Sequence, residues 1–222
     1  MLAEPAQALT DLALGVVAVT LAVQLRRAPS ITPHWRRVFW WFGAAALAGF
    51  VHHGVIVRSA EAAQVSWAVI SSGVVIAVSF LLAATVVEVL GPGRSRAFWL
   101  LRSVGVVAYV VLAALGFAGV GTMLACEGLT MLSVLGLWAW AAYRDHPLGR
   151  PMLLAIAASI GASAAHLPAV DVLQGVGLDP NSTYHLAQIV GIVLLFRAVT
   201  GFAGRGADGW ARRVPAEAAG TP

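Results

Sequence analysis

Lysine is missing from this chain: all fourteen of its basic residues are arginine. Without a lysine amine no side chain can form a Schiff base, which excludes a retinal-linked photoreceptor and related imine chemistry. Cysteine is nearly missing too. Cys126 is alone, so there is neither a disulfide framework nor a cysteine metal cluster. Charge is scarce, at 11% of residues against 59% hydrophobic, and the mean hydropathy is +0.84. A soluble core of this size does not need so much apolar surface, so the composition is that of an integral membrane protein. The net charge of +4 comes without a basic arm, a basic stripe or aromatic-basic interleaving, which argues against a nucleic-acid partner. The opening MLAEPAQALTD has no positive n-region and carries Glu4 and Asp11, so the first apolar run reads as an anchor, not a cleaved signal peptide.

What is present is a series of apolar runs near 7–25, 38–57, 66–90, 98–120, 123–143, 151–168 and 183–202. Each approaches the roughly 17 to 25 helical residues that a bilayer crossing needs. The predicted fold is therefore all-α, an integral membrane bundle of seven transmembrane helices over residues 1–203. Residues 204–222, rich in Gly, Ala, Pro and Arg, read as a disordered cytoplasmic tail. Breaks fall at Arg26-Arg27 with Pro29 and Pro33, at Gly91-Pro92-Gly93 and at Asp145 to Pro151, and more weakly at Gly119 to Thr122. Asn181, Ser182 and Thr183 offer N-caps to the last helix.

Seven spans put thirteen arginines on one side and Arg58 alone on the other. Cytoplasmic loops collect positive charge, so the N-terminus is expected outside and the C-terminus in the cytoplasm. Trp35, Trp40, Trp41, Trp99, Trp138, Trp140 and Tyr143 gather at the arginine side, as an interfacial aromatic belt would. A plasma membrane, bacterial and inner, is the expected location. No internal repeat supports an inverted-repeat transporter.

Counting from the cytoplasmic arginines locates a polar layer. Asp11 lies fifteen residues from Arg26, His53 sixteen from Arg37, Glu127 seventeen from Arg144, His166 sixteen from Arg150 and His185 twelve from Arg197. At 1.5 Å per residue these are depths of roughly 18 to 26 Å, all in the outer half of the membrane. Ionisable groups in hydrocarbon mark a site by default. Of the adjacent pair His52 and His53, which point about 100° apart, His53 shares its stripe with the small residues Gly49 and Ala46 and is expected to face the bundle centre. His166 shares a face with Ser163 and Ser159, His185 with Gln188, and Glu127 with Thr130.

Three imidazoles with a carboxylate nearby are the stock of a catalytic zinc site with an open position for water. The expectation is zinc on His53, His166 and His185, with Glu127 or Asp11 as the catalytic base, and a membrane lipid amide or ester as substrate. Two other classes fit the same residues. One is a b-type haem held by two histidines; CxxCH is absent, which excludes covalent haem. The other is a non-catalytic ligand cavity or proton relay, for which polar residues would continue toward the cytoplasmic side.

The phrases TDLALG, AGFVHHG and YHLAQIVGIVLLFRA, set in a seven-helix frame with an outside N-terminus, resemble the ceramidase-like superfamily of membrane metal hydrolases, which includes the progestin and adiponectin receptor group. The likeness spans most of residues 8–203. It implies zinc held by a helix-two histidine and an HxxxH pair on helix seven, aided by a serine four residues before the first histidine and an aspartate on helix three. His53 and His185 match two of the ligands. Gly49 stands in the serine's place, Ile189 in that of the second HxxxH histidine, and helix three has no aspartate. His166 is the substitute ligand this implies.

Overall fold

The computed structural model describes residues 1–28, 31–162 and 179–203. Among these the regular structure is helical: α1 (Pro5–Gln24), α2 (Pro33–Gly54), α3 (Ala60–Leu90), α4 (Trp99–Ala114), α5 (Val120–Tyr143), α6 (Gly149–Ala162) and α7 (Pro180–Ala203), with short 3-10 turns after α1, α2 and α3. Segments Pro5–Arg27, Ala60–Leu90, Val120–Tyr143 and Pro180–Gly201 are each long and apolar enough to cross a membrane. The chain is a polytopic helical membrane protein.

Local chemistry sets the helix starts. Proline opens α1, α2 and α7, where its missing N–H is no loss and its φ is already helical. Ser59 caps α3 by accepting from the Ala62 amide. The cap of α7 lies two residues before Asn181, the first candidate the sequence offers. Asp179 accepts from the amides of Asn181 (2.9 Å) and Ser182 (3.1 Å) and from the Ser182 hydroxyl. Partial burial pushes its carboxyl up, but these bonds outweigh that and hold it below the usual carboxylate range. α3 stops at Gly91, whose φ of +87° no L side chain adopts easily. α4 ends at Ala114, earlier than its apolar run predicts. Gly116 takes φ +92°, and the Ala118 carbonyl then accepts from both Trp67 Nε1 (2.9 Å) and the Tyr109 hydroxyl (3.2 Å). These bonds give the turn a polar anchor.

α1 packs on α2 and α7, α2 on α3, α3 on α5, α5 on α6 and α6 on α7; α4 lies against α3 and α5. The two halves of the bundle differ. In the arginine half, Leu21, Leu25, Trp35, Val38, Phe39, Leu82, Val86, Trp138, Met152 and Val199 belong to one buried apolar cluster drawn from α1, α2, α3, α5, α6 and α7. Two of the expected belt residues are therefore core: Trp35 and Trp138 are 1% and 0% exposed. Trp138 reached the interior because its Nε1 finds Thr85 Oγ1 at 3.0 Å. Trp41, Trp99, Trp140 and Tyr143 are exposed, as an interfacial position requires. The opposite half holds Asp11, His52 and Glu127 as buried polar groups.

Candidate functional site

The segment before α1 is tied to the end of α2. Ala3 N donates to Gly54 O (2.9 Å), Glu4 N to His53 O (3.0 Å), and Arg58 to the Met1 carbonyl. This hangs the Glu4 side chain beside His53, and Glu4 Oε2 lies 2.5 Å from His53 Nδ1. The same imidazole turns its Nε2 toward Asp11 Oδ2 at 3.9 Å. Asp11 sits in the second turn of α1, in contact with α2. At Gly49 an added Cβ would lie 2.5 Å from Asp11 Oδ2, so the carboxylate occupies space that only glycine leaves open. On its other side Asp11 Oδ1 faces His185 Nδ1 of α7 at 3.4 Å. Thr10 Oγ1 lies 3.3 Å from that nitrogen.

Hydrogen positions follow from the partners. The Thr10 hydroxyl lies 3.0 Å from the carbonyls of Ala6 and Gln7 and donates into its own helix. Its lone pair therefore faces His185, and with two acceptors before it, His185 Nδ1 carries hydrogen. His53 Nδ1 likewise donates to Glu4. His53 Nε2 and Asp11 Oδ2 are then an imidazole nitrogen and a carboxylate oxygen across a gap too long for a hydrogen bond. Exposure grades inward along the series, from Glu4 at 39% to His53 at 12% and Asp11 at 7% for the side chains.

Asp11, His53 and His185 are thus brought together from three helices. Glu127 is elsewhere: on α5, buried, its Oε1 within 2.7 Å of where a Cβ on Gly105 of α4 would stand. His166 lies outside the described residues. Both adjacent histidines are used, in different directions. His53 faces α1, while His52 turns to α3, its Nδ1 3.1 Å from Ser66 Oγ and its ring 4.8 Å from that of His53. Gln188 does not extend the polar group; its Nε2 donates to the Ser159 carbonyl (3.2 Å) across the α6–α7 seam.

The expected zinc centre is corrected by this arrangement. Among the described residues no group of three His, Cys, Asp or Glu side chains could hold a metal ion. The reason is geometric: ring nitrogens of His53 and His185 address carboxylates and Thr10 and do not converge on one point. Glu4 and Thr10 were the members that sequence reasoning passed over. Glu4 read as a flanking charge, although Pro5 beside it marks a helix start that fixes its place.

A model of a family of unknown function, DUF6962, matches residues 6–203. The chain belongs to that family. The matched region includes α1, α2 and α7, hence Asp11, His53 and His185, and begins just after Glu4. No curated protein and no solved structure matches the chain.

Proposed function

We propose that this is a seven-span protein of a bacterial inner membrane, N-terminus outside, whose outer half holds a one-sided proton-binding site centred on Asp11. It senses external pH or a polar ligand. The thirteen arginines opposite Arg58 supply the orientation, and α2, α4 and α6 complete the crossings. Any kinship with the ceramidase-like superfamily would be one of topology. The observation that carries the reading is the cluster of Glu4, His53, Asp11, His185 and Thr10, in which the Asp11 carboxylate is the most buried of the titratable groups and faces an imidazole on either side. Alternating carboxylates and imidazoles are the groups that proton relays use inside membranes. Among the described residues the series is not continued inward, where the apolar cluster of the arginine half is packed. That distinguishes a sensor or ligand site from a transmembrane carrier.

The test is histidine-selective nitrogen NMR on the protein in lipid nanodiscs, titrated against pH. Coupled groups share macroscopic titration steps. Asp11→Asn should therefore shift the curves of His53 and His185 together. Curves identical to those of the wild type would overturn the reading.

A further inference from the structure

His52 takes no part in the Asp11 series, and its partner Ser66 is unusual for a serine in a helix. Hydroxyls inside helices commonly bond back to the preceding turn, and several here do: Ser71 to the Trp67 carbonyl, Ser133 to Leu129, Thr200 to Phe196 and Thr10 to Ala6. Ser66 makes no such bond among the described residues. Its hydrogen-bond partner is His52 Nδ1, at 3.1 Å. The ring that receives it is held from two sides, edge-on to His53 at 4.8 Å and 6.0 Å from Trp67. His52 is only 6% exposed.

Ser66 is not sealed in with its histidine. It lines an open cleft of about 740 Å³ between the end of α2 and the start of α3, with Ala48, Val51, Ile56, Ala62, Val65 and Val69 as apolar walls and Ser59 and Glu61 as its polar members. The cleft lies at the same end of the bundle as the Asp11 site. A hydroxyl 3.1 Å from an imidazole nitrogen, on the wall of a mainly apolar cleft, is the geometry of a nucleophile with its general base when the ring proton sits on Nε2 and leaves Nδ1 to accept. The walls suit a hydrocarbon chain, and the hydroxyl is placed for a carbonyl at that chain's head.

We propose that Ser66 and His52 form a metal-free acyl-transfer pair acting on an ester whose acyl chain lies in the α2–α3 cleft. Ser66 Oγ bonds to the ester carbonyl carbon while its proton passes to His52 Nδ1. The bond from that carbon to the alkoxy oxygen breaks, and the departing alcohol takes the proton from His52. A water molecule then attacks the acyl-serine, giving its proton to His52, which returns it to Ser66 Oγ as the carboxylic acid leaves. No oxidant, reductant or metal is needed. The pair touches the Asp11 series through the His52–His53 ring contact, but its test reads a covalent label on Ser66 and so fails or succeeds separately from the proton-binding reading.

The experiment uses a long-chain alkyl fluorophosphonate on the purified full-length protein in nanodiscs, with the modified peptide mapped by mass spectrometry. The wild type should be labelled at Ser66, and Ser66→Ala should lose the label. His52→Asn, which removes the base, should slow labelling roughly 100-fold. Val65→Trp, which fills the cleft and leaves the pair intact, should slow the long-chain probe at least tenfold while sparing a short-chain one. Each variant is checked for an unchanged thermal melt. An unlabelled wild type, a label on another residue, or undiminished labelling of a folded His52→Asn variant would overturn the proposal.

Discussion

Gly49 decides how close α1 and α2 can come at the polar end. Its missing Cβ leaves room for the Asp11 carboxylate, and a methyl group there would overlap Oδ2. Gly49→Ala is expected to destabilise the protein by about 1 to 3 kcal/mol, the usual cost of overpacking. It should also separate the titrations of His53 and His185, because the displaced carboxylate is the group between them. A melt in detergent and the NMR titration measure the two effects, and a silent substitution would refute the contact. His146, in the α5–α6 connection, supplies a second residue-scale test. Its ring is buried, which lowers its pKa from the ordinary 6.5, and its Nδ1 accepts from Leu148 N at 3.2 Å. The folded state thus resists the proton that the unfolded chain accepts. Stability should begin to fall as pH drops through about 6.5 and stop falling once pH is below the folded-state value. His146→Gln should flatten that part of a melt-against-pH curve.

At the scale of elements, the sequence carries some information well and some hardly at all. Long apolar runs have to become buried or lipid-facing helices, so the elements around 7–25, 66–90 and 123–143 were legible to within a few residues at most boundaries. Their ends were less so, because ends depend on single groups. Ser59 starts α3 six residues before its apolar run, and Gly116 stops α4 six residues short. The depth count placed Asp11, His53 and His185 in one layer, since rise per residue is nearly fixed. It carried no information about azimuth or about which helices adjoin. Glu127 shares the layer yet faces Gly105, because α5 lies against α3, α4 and α6, while α1, α2 and α7 build the polar group. Trp35 and Trp138 show the same limit. Their depth fitted a belt, but Thr85 waited opposite Trp138, and hydropathy does not register a hydrogen-bond partner on another helix.

For the whole molecule, the proposed orientation is open to a direct check that its composition makes easy. Cys126 is the chain's one thiol, so Cys126→Ser gives a cysteine-free background. Glu61 and Arg94, both exposed, flank the two ends of α3. A cysteine placed at Glu61 should react with an impermeant maleimide on intact cells. One placed at Arg94 should react only after lysis. The reverse pattern would invert the topology and place the Asp11 series on the cytoplasmic face.

The apolar cluster that fills the arginine half also sets the electrical character of the site. Moving one charge fully across a membrane is worth about 2.3 kcal/mol per 100 mV. A proton entering past Glu4 and stopping at Asp11 travels only part of that field, and it has to leave the way it came. Occupancy of the site should therefore follow the acidity of the outer medium and respond only weakly to membrane voltage. On the proposed reading the bundle would be a blind well, not a conduit, and the cell's energised state would scarcely blur what it reads.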